Sequence, residues 1–154
     1  MQERILKRLL LGAAFLAIAA AAGAQSNEFV DSLLSKPATN YGQISYLVLV
    51  ASDNIGEDAD EARAFELLQN TGWANKAATA EKVVRLDEYA FLLMRAFGLK
   101  GGIMQSLSPS PRYAYRELTS LQVIQGRSDP SQPVSGISAV QMLGRVFDIM
   151  GLNK

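Results

Sequence analysis

The sequence contains no histidine and no cysteine, and its only tryptophan is Trp73. Without histidine it lacks the usual general base near neutral pH and the commonest transition-metal ligand. Without cysteine it has neither a disulfide framework nor a thiolate nucleophile. Ser/His/Asp and Cys/His arrangements are therefore impossible, and two-carboxylate chemistry would need paired acids in a pocket. The acidic run Asp53, Glu57, Asp58, Asp60 and Glu61 lacks the ligand alternation, central glycine and closing glutamate of a calcium loop, and reads as a solvated helix start. Charge of one sign is also lacking: 15 basic residues balance 15 acidic ones over 154 residues. That is no field for nucleic acid or anionic lipid. The sequence thus predicts a non-enzymatic chain with no metal, no cofactor and no nucleic-acid partner.

The one long apolar run is at the front. Arg4, Lys7 and Arg8 precede an alanine-rich stretch from Leu9 to Ala22, and Ala22-Gly23-Ala24 fits a small-x-small cleavage site. This pattern predicts a secretory signal peptide over 1–24, and the run is short for a bilayer span. Removing it leaves 12 basic against 14 acidic residues, a net charge of −2. The expected mature chain, 25–154, is one domain that does not span a membrane and resides in the periplasm or cell envelope.

Within it, apolar residues recur at helical spacing and no useful length alternates with period two. The expected fold class is all-α. A short helix over 27–35 carries Phe29, Leu33 and Leu34 on one side and stops at Pro37. Asn40, with Gln43 as capping-box partner, opens a second helix with Ile44, Leu47, Val48 and Ala51 inward. A third is expected from Asp58 to Gln69, burying Ala62, Phe65 and Leu68. A fourth follows Arg85, with Tyr89, Leu92, Leu93 and Ala96 inward. A fifth runs from Pro111 to Gln122 and buries Ala114, Leu118 and Leu121. The last begins after Ser135 and buries Ala139, Leu143, Val146, Phe147 and Met150.

Three units appear, at about 27–55, 56–100 and 108–151, each a helix, a linker and a second, capped helix. The second-helix starts align without gaps at Asn40-Tyr41-Gly42-Gln43-Ile44, Arg85-Leu86-Asp87-Glu88-Tyr89 and Ser135-Gly136-Ile137-Ser138-Ala139. "VIQGRSDPSQPVS" holds Gly126, Asp129 and Pro133, after the aromatic-alanine pair Tyr113-Ala114. "VRLDEYAFLLMRAFGL" has the form of a second helix along its whole length. The pattern resembles the S-layer homology family, whose repeats carry G-[IV]-I-x-G-x-x-D-x-x-x-x-P loops and [IV]-T-R-A-E helix starts. The resemblance implies a pseudo-threefold helical domain that docks to cell-wall polymers or peptidoglycan through grooves between repeats. The family's arginine position holds Tyr41, Leu86 and Gly136 here, and its acid position holds Gln43, Glu88 and Ser138.

The candidate binding residues are Arg85, Glu88, Arg112, Tyr113 and Trp73. Arg85 and Glu88 stand at the motif and could meet an anionic glycan, or Glu88 completes a helix start beside a solvated arginine. Trp73 either stacks on a sugar ring or plugs the core edge after Gly72. Of Tyr113 and Tyr115, which straddle Ala114, one is expected to face water beside Arg112 and Arg116. The recurring Arg95 and Arg145 read as helix-end interactions. A second reading of the whole chain is an interaction module or accessory subunit of an envelope assembly, with the same fold and no glycan site.

Overall fold

The computed structural model describes residues 27–102 and 107–151. The expected signal peptide lies outside them. The chain divides into two compact units, 1–32 and 33–154; the described part of the first, 27–32, is helical. All that follows concerns the second unit. The protein is all-α: among the described residues there is no strand, only the isolated bridges Asn40–Val83 and Arg85–Pro133. None of the described helices is long and apolar enough to cross a membrane.

The helical segment over 27–34, α1, ends in this unit with Leu33 buried and Leu34 exposed. Helix α2, Tyr41–Ala51, begins where the sequence places it. The Gln43 N–H donates to Asn40 Oδ1 at 2.9 Å and the Asn40 N–H to Gln43 Oε1 at 3.2 Å. Eight of its 11 residues are buried, so α2 is a core element on nearly every side. Helix α3, Glu61–Thr71, starts later than its acids suggest, because it is the Asp60 carboxylate that accepts the Arg63 N–H, at 2.7 Å. That start sets the register, so Ala64 and Leu68 face inward and Ala62 faces water. Asp60→Ala should lower stability by about 1 kcal/mol, read as a shift of the urea midpoint at unchanged slope.

Helix α4 spans Leu86–Ala96 and is capped by Glu88, which accepts the Arg85 N–H at 3.0 Å. Helix α5, Pro111–Ser120, is capped by Ser110 and buries Ala114 and Leu118. It ends two residues before the expected Gln122. The chain then turns through Gln122 at φ 60°, which leaves Leu121 exposed and sends Val123 and Ile124 into the core instead. Helix α6, Gly136–Met150, is capped by Ser135. It buries Ala139, Leu143 and Val146, while Phe147 packs edge-on against Phe97 at 5.5 Å and Met150, at the helix end, is exposed. Helix α3 packs on α2 and α5 on α4, and α4 also touches α2 and α6.

Three short extended segments join these elements. The Thr39 N–H donates to the Val134 carbonyl (2.8 Å), Val134 to Val84 (3.1 Å), and Val84 to Thr39 (3.0 Å), which closes a ring. One step outward, the N–H groups of Tyr41, Leu86 and Gly136 donate to the carbonyls of Lys82, Gln132 and Lys36 at 3.0, 2.9 and 3.0 Å. These are first-turn donors that have no partner within their own helices. Each of α2, α4 and α6 therefore has its start satisfied by a different stretch of chain. The ring is tight at one point: a Cβ on Gly136 would lie 1.7 Å from the Leu33 carbonyl oxygen.

Candidate functional site

The segment after α3 turns at Gly72, in the left-handed region at φ 72°, and carries Trp73 back towards the start of α4. A cleft of about 340 Å³ opens there, lined by Trp73, Arg85 and Glu88 together with Tyr41, Phe91 and Pro111. Three of the five sequence-selected residues thus share one cleft. The other two do not line it. Arg112 is exposed and Tyr113 half-buried on the first turn of α5, just past Pro111. Tyr115 is half-buried as well and donates its hydroxyl to the Ser128 carbonyl at 2.7 Å.

The charges in the cleft are arranged in order. Arg85 Nε donates to Asp87 Oδ1 at 3.0 Å and Nη2 donates to Asp87 Oδ2. That pairing pushes the guanidinium further above its usual range, so Arg85 is a permanent cation, with half its side chain exposed. The side chain of Glu88 is only 10% exposed; it accepts from the Arg85 N–H and from Lys82 Nζ at 3.4 Å. Glu88 therefore sets the geometry of the helix start and offers little surface to a ligand. Tyr41 lies beneath, with Lys82 Nζ 5.7 Å from its ring centre and Phe65 edge-on at 6.2 Å. Burial pushes the Tyr41 hydroxyl well above its ordinary range and the Glu88 carboxylate adds to the shift, so the hydroxyl stays protonated.

Tyr41 and Phe91 also line the cleft and are not among the sequence-selected residues. The available signal was register: Tyr41 stands where the family motif has its arginine.

The loop ahead of α6 holds Asp129, whose carboxylate accepts the Ser131 N–H at 2.8 Å and hydroxyl at 2.7 Å. Those donors hold its carboxyl below the usual range. A second, smaller cleft of about 140 Å³ adjoins this loop and includes Gln132, Ser138, Gln141 and Arg145. A third, of about 390 Å³, lies past the end of α4, beside Arg95, Leu99 and Lys100. Arg95 itself sits over the Phe91 ring at 5.2 Å. Among the described residues no group of three or more acidic side chains converges as a metal site. Comparison with family models, curated proteins and solved structures finds no match to this chain.

Proposed function

We propose that this chain is an S-layer-homology-like domain of three units that docks onto peptidoglycan or another cell-wall polymer, without catalysis, in the periplasm or envelope. The observation that carries the reading is the convergence of Trp73, Arg85 and Glu88 in the cleft beside Tyr41. The ring of backbone hydrogen bonds among the three helix-start segments supports it, because a three-unit arrangement needs such a junction. The half-buried Trp73 offers an aromatic face on which a sugar ring can stack. Arg85, whose Nε and Nη2 face Asp87, keeps its remaining Nη hydrogens for a carboxylate or phosphate of the polymer. Glu88 acts as a positioning residue through its bond to the Arg85 N–H.

The test is co-sedimentation of the purified chain with sacculi. Trp73→Ala and Arg85→Gln should each weaken binding by roughly tenfold. Lys100→Ala, outside the cleft, should leave it unchanged. Glu88 is unsuitable as a test position, since its loss disturbs the helix start as well as the cleft. Absence of binding by a chain with intact helical circular dichroism overturns the reading.

A second reading is an interaction module for an envelope protein. It is favoured by exposed apolar side chains next to the ring: Leu34 at 38%, Val83 at 44% and Ile137 at 52%. Crosslinking from position 137 in the native envelope distinguishes it, because wall docking through the cleft leaves Ile137 free.

A further inference from the structure

The two clefts beside the ring occupy corresponding places in the chain. The first helical residue of α2, Tyr41, donates to Lys82 and lines the first cleft; that of α4, Leu86, donates to Gln132 and lines the second. Glu88 is the third helical residue of α4 and Ser138 the third of α6; Phe91 and Gln141 are the sixth of each. The framework is shared and the chemistry is not. Where the first cleft has Glu88 and Phe91, the second has a hydroxyl and an amide.

The cations differ in the opposite sense. In the first cleft Arg85 is neutralised by Asp87. In the second, half-buried Arg145 donates from Nη1 to the Val123 carbonyl at 3.0 Å, and among the described residues no carboxylate pairs with it. A guanidinium has five N–H donors, so most of its capacity is unspent. No acidic residue lines this cleft; its polar groups are the amides of Gln125, Gln132 and Gln141 and the hydroxyls of Ser128 and Ser138. Ser138 Oγ accepts from Ser135 Oγ at 2.9 Å, which leaves its own proton for a ligand.

We infer that the second cleft binds a small organic carboxylate, with Arg145 taking its charge and the glutamine amides and Ser138 taking its neighbouring polar groups. The carboxylate could end a short peptide or belong to a sugar acid; both present the same anion to the same guanidinium. This site is separate from the Trp73 cleft and its test reads separately.

The experiment is a titration of the ¹⁵N-labelled full chain with N-acetyl-Ala-Ala, with the C-terminal amide of that dipeptide, and with glucuronate. Saturable shifts are expected at the Ser128, Ser138 and Gln141 amides with an acid, and binding about tenfold weaker or worse with the dipeptide amide. A response to the peptide acid alone identifies a peptide end, a response to glucuronate alone a sugar acid, and both support a carboxylate site. Arg145→Gln should weaken binding by about the same factor. Because Arg145 also holds the Val123 carbonyl, Ser138→Glu provides the second variant. Position 138 is exposed, its counterpart in α4 already carries Glu88, and the new carboxylate would occupy Arg145 with the fold intact. An amide that binds as well as the acid, a Ser138→Glu variant that binds as the parent does, or no saturable shift at millimolar probe overturns the inference. Trp73 fluorescence reports the first cleft in the same samples; a change there without shifts at the second cleft also overturns it.

Discussion

Gly136→Ala should destabilise this chain by roughly 3 kcal/mol, at the upper end of overpacking effects. In a chain of this size that lowers Tm by about 12 °C. The reason is what the added carbon meets. It would sit 1.7 Å from the Leu33 carbonyl oxygen and 2.5 Å from the Leu33 carbonyl carbon, both backbone atoms that no rotamer change can move. Relief requires parting α6 from the end of α1. That parting breaks the Gly136 N–H bond to Lys36 and strains the Thr39–Val134 link of the ring. Gly144, in the same helix, supplies the control. A Cβ there meets nothing within 4 Å, so Gly144→Ala should stabilise by about 0.5–1 kcal/mol through helix propensity alone. Paired thermal melts decide the matter: two variants that shift Tm in the same direction would refute the steric account.

Tyr89→Phe should be weaker than the parent at pH 7 and stronger at pH 11.5. The Tyr89 hydroxyl is fully buried and donates to the Ala139 carbonyl, 2.8 Å away and 50 residues on. Its removal at neutral pH should lower stability by about 1 kcal/mol. Burial also pushes the hydroxyl well above its ordinary value of 10.0. The folded state then keeps the proton while the unfolded chain releases it above pH 10. Stability is therefore whole below pH 10 and falls as pH rises, by about 1.4 kcal/mol per unit for this group. Tyr41, raised likewise, steepens the fall. The phenylalanine variant escapes the Tyr89 share, so the two stability curves should cross between about pH 10.5 and 11. Urea unfolding at pH 7, 9 and 11.5 measures this, and parallel curves across that range would refute it.

The caps were legible in the sequence because a cap is local. Asn40 with Gln43, and Ser135 with the turn that follows it, involve donors and acceptors three residues apart. The start of α3 was not, because Asp58, Asp60 and Glu61 all suit a helix N-terminus and only geometry selects Asp60. Leu121 was misplaced by extending a period of 3.6 past Ser120, where the left-handed Gln122 breaks it. At the site, motif register selected Arg85 and Glu88 and could have added Tyr41, while Trp73 stood out as the lone tryptophan after Gly72. Arg112 and Tyr113 were selected from the aromatic-alanine pair and its flanking arginines, but successive helical residues point about 100° apart, so they do not follow Pro111 into the cleft. The burial of Glu88 and the isolation of Arg145 were beyond reach, since both depend on which distant side chains arrive. So was the ring, which joins single residues and leaves no periodic trace.

That ring has a consequence in time. Its last link pairs Thr39 with Val134, 95 residues further along the chain. Chain elongation at about 5–20 residues per second puts roughly 5–19 s between the synthesis of the two partners. During that interval the Val84–Thr39 bond can form, but its two neighbours lack their third member. The starts of α2 and α4 can be drawn together early, while the N–H of Thr39 and the carbonyl of Val84 wait in water. The junction is an open arc until Val134 joins it. A chain stopped before Val134 has no route to the closed junction, however well its first two units pack.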